Sequence, residues 1–323
     1  MIDRHVTHAD IAAFAADRVN LSRDDVSDYR KQVTRLRDKL TAYIKEHPGF
    51  DLVKMLHSGS VAKGTALKTL NDMDVAVYVQ SGSAPQDESQ LLDWTAARLR
   101  EAYGGTVKPE QITIGHHCVT MEFKTSGLNV DVVPVLYEGD EQDRGYLVPK
   151  STGVRVLTSI PLHLEFIRKR KDAMPHHYRQ MVRLVKWWAG AQKASRHDFR
   201  FKSFMTELLL ARMVDEKVPM ADYADAMFRF FSHIVRTRLS ERIVFTDYYA
   251  AKDAADDGNP VQIYDPVNPE NNVACRYTAA DVGVIVEAAE DALDAIAYAR
   301  RATTKGEAVS AWQEILGTGF KGS

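Results

Sequence analysis

Asp72 and Asp74 stand one residue apart at the head of an apolar run, Val75-Ala-Val-Tyr-Val79. Such a run reads as a strand with little solvent on either face. Side chains alternate across a strand, so both carboxylates point to the same face. A second run, Leu128-Asn-Val-Asp-Val-Val-Pro-Val135, carries a third lone acid, Asp131. Carboxylates left unpaired in such places are costly. If the three acids converge on one sheet edge, something has to offset their charge.

Three converging carboxylates repel one another unless a divalent cation neutralises them. Mg2+ takes oxygen ligands and keeps water or phosphate oxygens in its remaining positions. Two such ions about 3.5–4 Å apart form the clamp used for in-line phosphoryl and nucleotidyl transfer. The preceding segment, Gly59-Ser60 followed by Lys63-Gly64-Thr65, suits the same chemistry. A glycine lets backbone N–H groups approach a phosphate, and Ser60 adds a hydroxyl donor. The segment is not a P-loop, because GxxxxGK[ST] does not occur. The plainer alternative makes Asp72 a turn cap after Asn71 and leaves Asp74 and Asp131 on solvent-facing strand positions.

The rest of the chain organises around these runs. Val26, Tyr29, Val33, Leu36, Leu40 and Ile44 recur at helical spacing between Ser22 and His47. They predict one long amphipathic helix, N-capped by Ser22, acidic in its first turn and stopped by Pro48-Gly49. Strands are predicted over Leu52–Leu56, Met73–Val79, Val119–Phe123 and Leu128–Leu136, with a helix over about Gln86–Ala102. From Pro161 helical periodicity dominates: 161–173, 178–193, 202–215, 223–238 and 281–301. The reading is an α+β chain with a sheet lobe over 1–160, including the long N-terminal helix, and a helical lobe over 161–323.

Bulk properties exclude little but usefully. A formal net charge of −2 over 323 residues confines any nucleic-acid contact to a local patch. Two distant cysteines, Cys118 and Cys275, offer neither a disulfide framework nor a zinc-knuckle spacing. The charged start, MIDRHVTHAD, lacks the apolar core of a signal peptide, and no uncharged run is long enough to span a bilayer. A cytoplasmic protein without membrane attachment is expected.

Gly59-Ser60, then Asp72-Met-Asp74, then Asp131 on a later strand resembles the polymerase-beta-like nucleotidyltransferase superfamily. Lys63-Gly64-Thr65 narrows the resemblance to the branch of oligoadenylate synthetases and bacterial cyclic-oligonucleotide synthases related to cyclic GMP-AMP synthase. Val182-Arg-Leu-Val-Lys186-Trp-Trp188 with Phe201-Lys-Ser203-Phe204-Met-Thr-Glu207 resembles the helical-lobe signature of that branch, and Tyr264–Val273 resembles its D-P-x-x-P-x-x-N loop. The resemblance spans about residues 50–280. It implies a polymerase-beta-like sheet lobe and a helical lobe, bridged by the long helix as a spine.

It further implies that Asp72, Asp74 and Asp131 are catalytic and bind two Mg2+ ions, with Mn2+ as an alternative, and that Asp131 activates the attacking ribose hydroxyl. Gly59, Ser60, Lys186 and Ser203 would hold the donor triphosphate, and Phe204 would stack on its base. The segments GSVAKGTALK, SIPLHLEFI, FRFKSFM and QIYDPVNPENNVA together resemble the group making cyclic trinucleotides such as cyclic tri-AMP in antiphage signalling. That group works from ATP and other NTPs under a HORMA-domain partner and an AAA+ ATPase, and responds to DNA.

Several readings stay open on the residues alone. Lys186 also reads as a solvated helix lysine and Phe204 as a core residue. His116, His117 and Cys118 read as a strand start rather than a metal site. Asp265 to Asn272 reads as a structural loop ordered by side-chain amides. Arg168–Lys171 and Arg179, Arg183 and Lys186 form basic clusters, either solvated or lining a phosphate-backbone groove that Lys31, Arg35 and Lys39 of the long helix extend as candidate nucleic-acid contacts. A linear oligoadenylate synthetase, a nucleotide-adding toxin and an inactive nucleic-acid-sensing module are the alternatives to a cyclase.

Overall fold

The structure, a computed structural model, describes residues 5–47, 51–69, 72–124 and 127–322. Pro48, Gly49, Asn71 and the side chain of Ile44 lie outside the described residues. The chain divides into two compact units, one of residues 21–166 and one of 1–20 with 167–323. The first 20 residues, read above with the sheet lobe, therefore belong to the helical unit. Their helix α1 (His8–Phe14) is closed by a capping box between Thr7 and Asp10. It runs into a π-helical turn, 15–19, and packs in that unit against the helix at 223–237. Seven residues is too short for a periodicity signal, which is why the pattern passes over it.

The 21–166 unit opens with α2 (Arg23–Glu46), within one residue of the expected ends. Ser22 caps it as expected, accepting a hydrogen bond from the Asp25 backbone N–H at 3.0 Å. Then come β1 (Leu52–His57), the single-turn α3 (Gly59–Lys63), β2 (Asp72–Gln80) and α4 (Leu91–Ala102). The strands β3 (Ile112–Ile114), β4 (Val119–Phe123), β5 (Leu128–Tyr137), β6 (Gly145–Leu147) and β7 (Val156–Thr158) complete a seven-stranded sheet. Its path is β1-β2-β5-β4-β3, with β6 joining the far end of β5 and β7 following β6. Only β2 and β5 run parallel.

One face of this sheet is covered by helices. Val33, Leu36 and Leu40 of α2 and Leu92, Ala96 and Leu99 of α4 form one core with Met73, Val75, Val77, Val130 and Val132. The intervening positions face the other way, and Ala76, Tyr78 and Val135 make a separate small cluster there. Asp72, Asp74 and Asp131 share the alternation of this second set. Pro134 is tolerated inside β5 because pairing with β4 ends at Val132 and pairing with β6 begins at Leu136. On that edge its missing N–H leaves no ladder bond unmade.

The helical unit takes in α5 (Ile160–Ala173) from residue 167, α6 (His177–Ser195), α7 (Ser203–Asp215), α8 (Tyr223–Thr237), α9 (Ala279–Arg301) and α10 (Lys305–Leu316). Trp188 is fully buried in it, with Phe231 and Phe199 at ring-centroid distances of 4.8 and 5.6 Å. The D-P-x-x-P loop is held by its own side chains, as the sequence suggests. Asp265 accepts from the Val267 N–H at 2.8 Å, and Asn272 accepts from the Ile263 and Ala274 N–H groups at 3.1 and 2.9 Å. Among the described residues no helix is long and apolar enough to cross a membrane.

Candidate active site

The parallel pairing of β2 with β5 sets Asp74 directly opposite Asp131, and Asp72 opposite Asn129. Side chains leave a strand only from its faces, and Asp72 and Asp74 alternate with Met73 and Val75, which point into the helix-covered core. All three therefore stand on the opposite face, beyond the cluster of Ala76, Tyr78 and Val135. Asp72 is exposed at the strand's start, while Asp74 and Asp131 are half-buried. Partial desolvation first, and the negative charge of Asp131 second, push the Asp72 carboxyl above the ordinary carboxylate range.

The Gly-Ser segment is fixed against the same acids. β1 ends at His57, opposite Val75 of β2, and the Ser58 N–H donates to the Asp74 carbonyl at 3.0 Å. Gly59 follows with φ +65°, a conformation L side chains rarely adopt. A Cβ built there would collide with the Asp74 carboxylate and lie 2.7 Å from the Asp74 Cβ. The glycine is therefore required twice over, by its dihedral and by its closeness to Asp74. Ser60 is half-buried one residue on, and its carbonyl accepts from the Thr65 N–H at 2.8 Å, closing the segment.

The far side of the acids holds a residue that sequence reading missed. Thr120 of β4 is the register partner of Asp131, and its hydroxyl donates to Asp131 Oδ1 at 2.6 Å. Cys118 Sγ lies 3.9 Å from the Thr120 hydroxyl. Burial, followed by the charge of Asp131, pushes the Cys118 thiol up to about 11. At neutral pH the unliganded thiol is therefore neutral.

The carboxylates fit a hard divalent cation by donor chemistry: all-oxygen, clustered by register, and with like-charge interaction between Asp72 and Asp131 for a cation to relieve. As the side chains stand, no group of three or more His, Cys, Asp or Glu among the described residues is gathered tightly enough to hold a metal. The fit lies in the backbone register rather than in a closed cage, as suits a site that shares its ions with substrate phosphates.

In the helical unit, Lys186 is buried and forms an ion pair with Glu207 at 2.8 Å. The solvated-lysine alternative does not hold. Tyr178 donates to the Glu207 backbone carbonyl at 3.1 Å. Ser203 is exposed at the first position of α7, and Phe204 is half-buried. The start of this helix is fixed by the Lys202 N–H, donating to Tyr277 Oη at 2.8 Å. Of the Arg168–Lys171 cluster, Arg168 and Lys169 are exposed, as a solvated face expects, and Arg170 is not. Arg170 is buried and bonds Asp247 and Asp215, each at 2.7 Å.

Lys31, Arg35 and Lys39 lie exposed along α2. Arg30, Lys31 and Arg35 line one shallow depression of the 21–166 unit, and Arg35, Lys39, Lys108 and Lys124 another. Lys31 also pairs with Asp28 at 2.8 Å.

Residues 6–159 match the family described as the Second Messenger Oligonucleotide or Dinucleotide Synthetase (SMODS) domain. Along its whole length the chain is 49% identical to the cyclic AMP-AMP-AMP synthase of Escherichia coli strain MS 115-1, over 322 residues covering 100% of both proteins. It is 28% identical to the CBASS oligonucleotide cyclase CdnC of Escherichia coli strain KTE188, with 98% of each covered. Two solved structures of E. coli MS115-1 CdnC, one in complex with HORMA-deltaN and one with ATP, each match with a TM-score of 0.91 and 50% identity. They cover 98% of this chain and 99% and 100% of theirs. The polymerase-beta-like fold expected from the motifs is thus the fold of this chain. The chain belongs to the second-messenger oligonucleotide synthetases, the nucleotidyltransferases that make the cyclic oligonucleotide signals of CBASS.

Proposed function

We propose that this chain joins ATP into cyclic tri-AMP at Asp72, Asp74 and Asp131, as part of antiphage signalling in the cytoplasm. Supporting this is a full-length relative whose name states that product. The observation that carries the site is the opposition of Asp74 and Asp131 across β2 and β5, with Gly59 pressed against Asp74.

Asp72 and Asp74 would hold two divalent cations, Mg2+ or Mn2+, with Asp131 completing the site of one. Bound there, the cations would stabilise charge developing on the α-phosphate and on the pyrophosphate leaving group. Asp131 takes the proton of the attacking ribose hydroxyl as general base. Gly59 and Ser60 hold the donor's triphosphate through backbone N–H groups and the Ser60 hydroxyl. Ser203 and Phe204 serve as further nucleotide contacts, Ser203 by its exposed hydroxyl and Phe204 by its ring. Lys186 serves the triphosphate with Glu207 as its resting partner.

A HORMA-domain protein is the proposed partner, by likeness to the complex of the related CdnC, together with an AAA+ ATPase that remodels it. Duplex DNA is the proposed activator, bound along Lys31, Arg35 and Lys39. Such binding weakens steeply with salt. Lys31→Glu/Arg35→Glu should abolish it, and unchanged binding removes the DNA proposal.

The deciding experiment incubates the chain and its HORMA partner with all four NTPs and Mg2+, with and without duplex DNA, beside Asp72→Asn/Asp74→Asn. Products are treated with phosphatase and weighed by mass spectrometry. A phosphatase-resistant trimer of AMP, absent from the variant, establishes the reading. Linear product alone turns it to an oligoadenylate synthetase, and a ring of other size or bases overturns the product.

A further inference from the structure

We infer that Thr120 is a positioning residue for the reaction: its hydroxyl fixes the Asp131 carboxylate in the orientation that nucleotidyl transfer requires. The inference rests on the catalytic reading of Asp131.

The geometry is specific. Thr120 and Asp131 are direct partners in the antiparallel β4–β5 ladder, so their side chains leave the sheet side by side on the same face. The bond from Thr120 Oγ1 to Asp131 Oδ1, at 2.6 Å, is short and donated to an acceptor that carries charge when ionised. A hydroxyl has one proton, and here it is committed to that oxygen. Oδ2 is left for cation and substrate.

The rigidity comes from both strands. β5 is bonded on one side to β2, which carries Asp74, and on the other to β4. Threonine is β-branched and its χ1 is restricted, so the donor is a fixed peg rather than a swinging arm. Cys118 adds to this. Its sulfur lies 3.9 Å from the Thr120 hydroxyl. Cys118 also makes a side-chain hydrogen bond with Asp131, so it braces the carboxylate from the same side. Residues that orient metal-ligating carboxylates in this way typically cost 10–100-fold in metal affinity or activity when removed.

The test compares Thr120→Val, which keeps the shape and removes the donor, with Thr120→Ser, which keeps the donor. Asp131→Asn is the reference. Two readouts are taken on the full chain. Mn2+ binding in the presence of a non-hydrolysable ATP analogue is measured by electron paramagnetic resonance. Cyclic product is measured with the HORMA partner and DNA present, with kcat and KM separated. Thr120→Val should weaken Mn2+ binding or lower kcat by about 10–100-fold, with KM for ATP little changed and the melting temperature retained. Thr120→Ser should recover most of the loss. Wild-type Mn2+ affinity and kcat in Thr120→Val overturn the inference, as does a loss in Thr120→Ser equal to that in Thr120→Val. If Asp131→Asn itself keeps full activity, the catalytic reading of Asp131 fails first.

Discussion

Gly59→Ala puts the tightest contact of the site under strain, and its consequences can be worked from two numbers. The backbone at Gly59 has φ +65°, which an L residue adopts at a cost of about 1–2 kcal/mol. For a folded unit of this size that lowers the melting temperature by about 2–8 °C. The second number is the 2.7 Å between the added methyl carbon and the Asp74 Cβ. Carbon atoms rest at about 3.5–4.0 Å, and the Asp74 carboxylate is closer still, so Asp74 has to retreat by at least about 1 Å. A misplacement of that size at reacting groups costs on the order of 100-fold in rate.

Gly127 separates the two effects. Its φ is +66°, but a Cβ there meets nothing within 4 Å. Gly127→Ala should lose the same few degrees by differential scanning calorimetry and keep its cyclisation rate. Gly59→Ala should lose both. Equal rates for the two variants in a product assay would refute the argument that Asp74 is held in place by the missing side chain.

Three further outcomes are expected. Iodoacetamide at pH 8 should modify exposed Cys275 and leave Cys118 intact, because a thiol titrating at about 11 is thiolate in only about one molecule in a thousand; equal labelling by mass spectrometry would show that the Cys118 pocket is open. Glu207→Ala removes the buried ion-pair partner of Lys186 and should cost about 3–5 kcal/mol in urea unfolding, whereas Lys186→Met with Glu207→Leu should come out near neutral; equal losses would mean the pair is stabilising in itself. Burial, more than any neighbouring charge, lowers the pKa of His233 below its usual 6.5, with Arg236 and Arg212 acting the same way and Glu241 and Glu216 against. The folded state thus resists protonation, and the stability present above pH 6.5 is lost as pH falls through 6.5 toward the lowered value. His233→Gln should flatten that acid limb, and an unchanged limb assigns it to other groups.

The parts of this molecule visible in the sequence are those encoded by local pattern. The alternation around Asp72 and Asp74 gives their shared face, and the stripe through Val33, Leu36 and Leu40 gives the helix that covers the opposite one. Helix ends came within a residue or two where caps were explicit, as at Ser22. What stayed hidden depends on contacts across the chain. Thr120 is an ordinary strand threonine until the β4–β5 register places it beside Asp131. Lys186 looks like a surface cation until α7 sets Glu207 against it, and Arg170 likewise until Asp215 and Asp247 are in place. The short strands β6 and β7 have three residues each, too few for any period to show.

The parallel pairing of β2 with β5 has a consequence for how the protein is made. Strands β3 and β4 and helix α4 all intervene between its two partners, so this ladder is the least local in the sheet. A chain emerging from the ribosome presents Asp72 and Asp74 well before Asp131 has been synthesised. During that interval the pair has no Asp131 opposite it, and under the role proposed for Asp131 any fragment ending ahead of β5 is mute as a synthase. If β5 pairs out of step by one position, Asp131 turns toward Val33 and Leu36, and the error silences the product rather than altering it. For an enzyme whose output is an alarm, the topology makes completion of the sheet a condition of speaking at all.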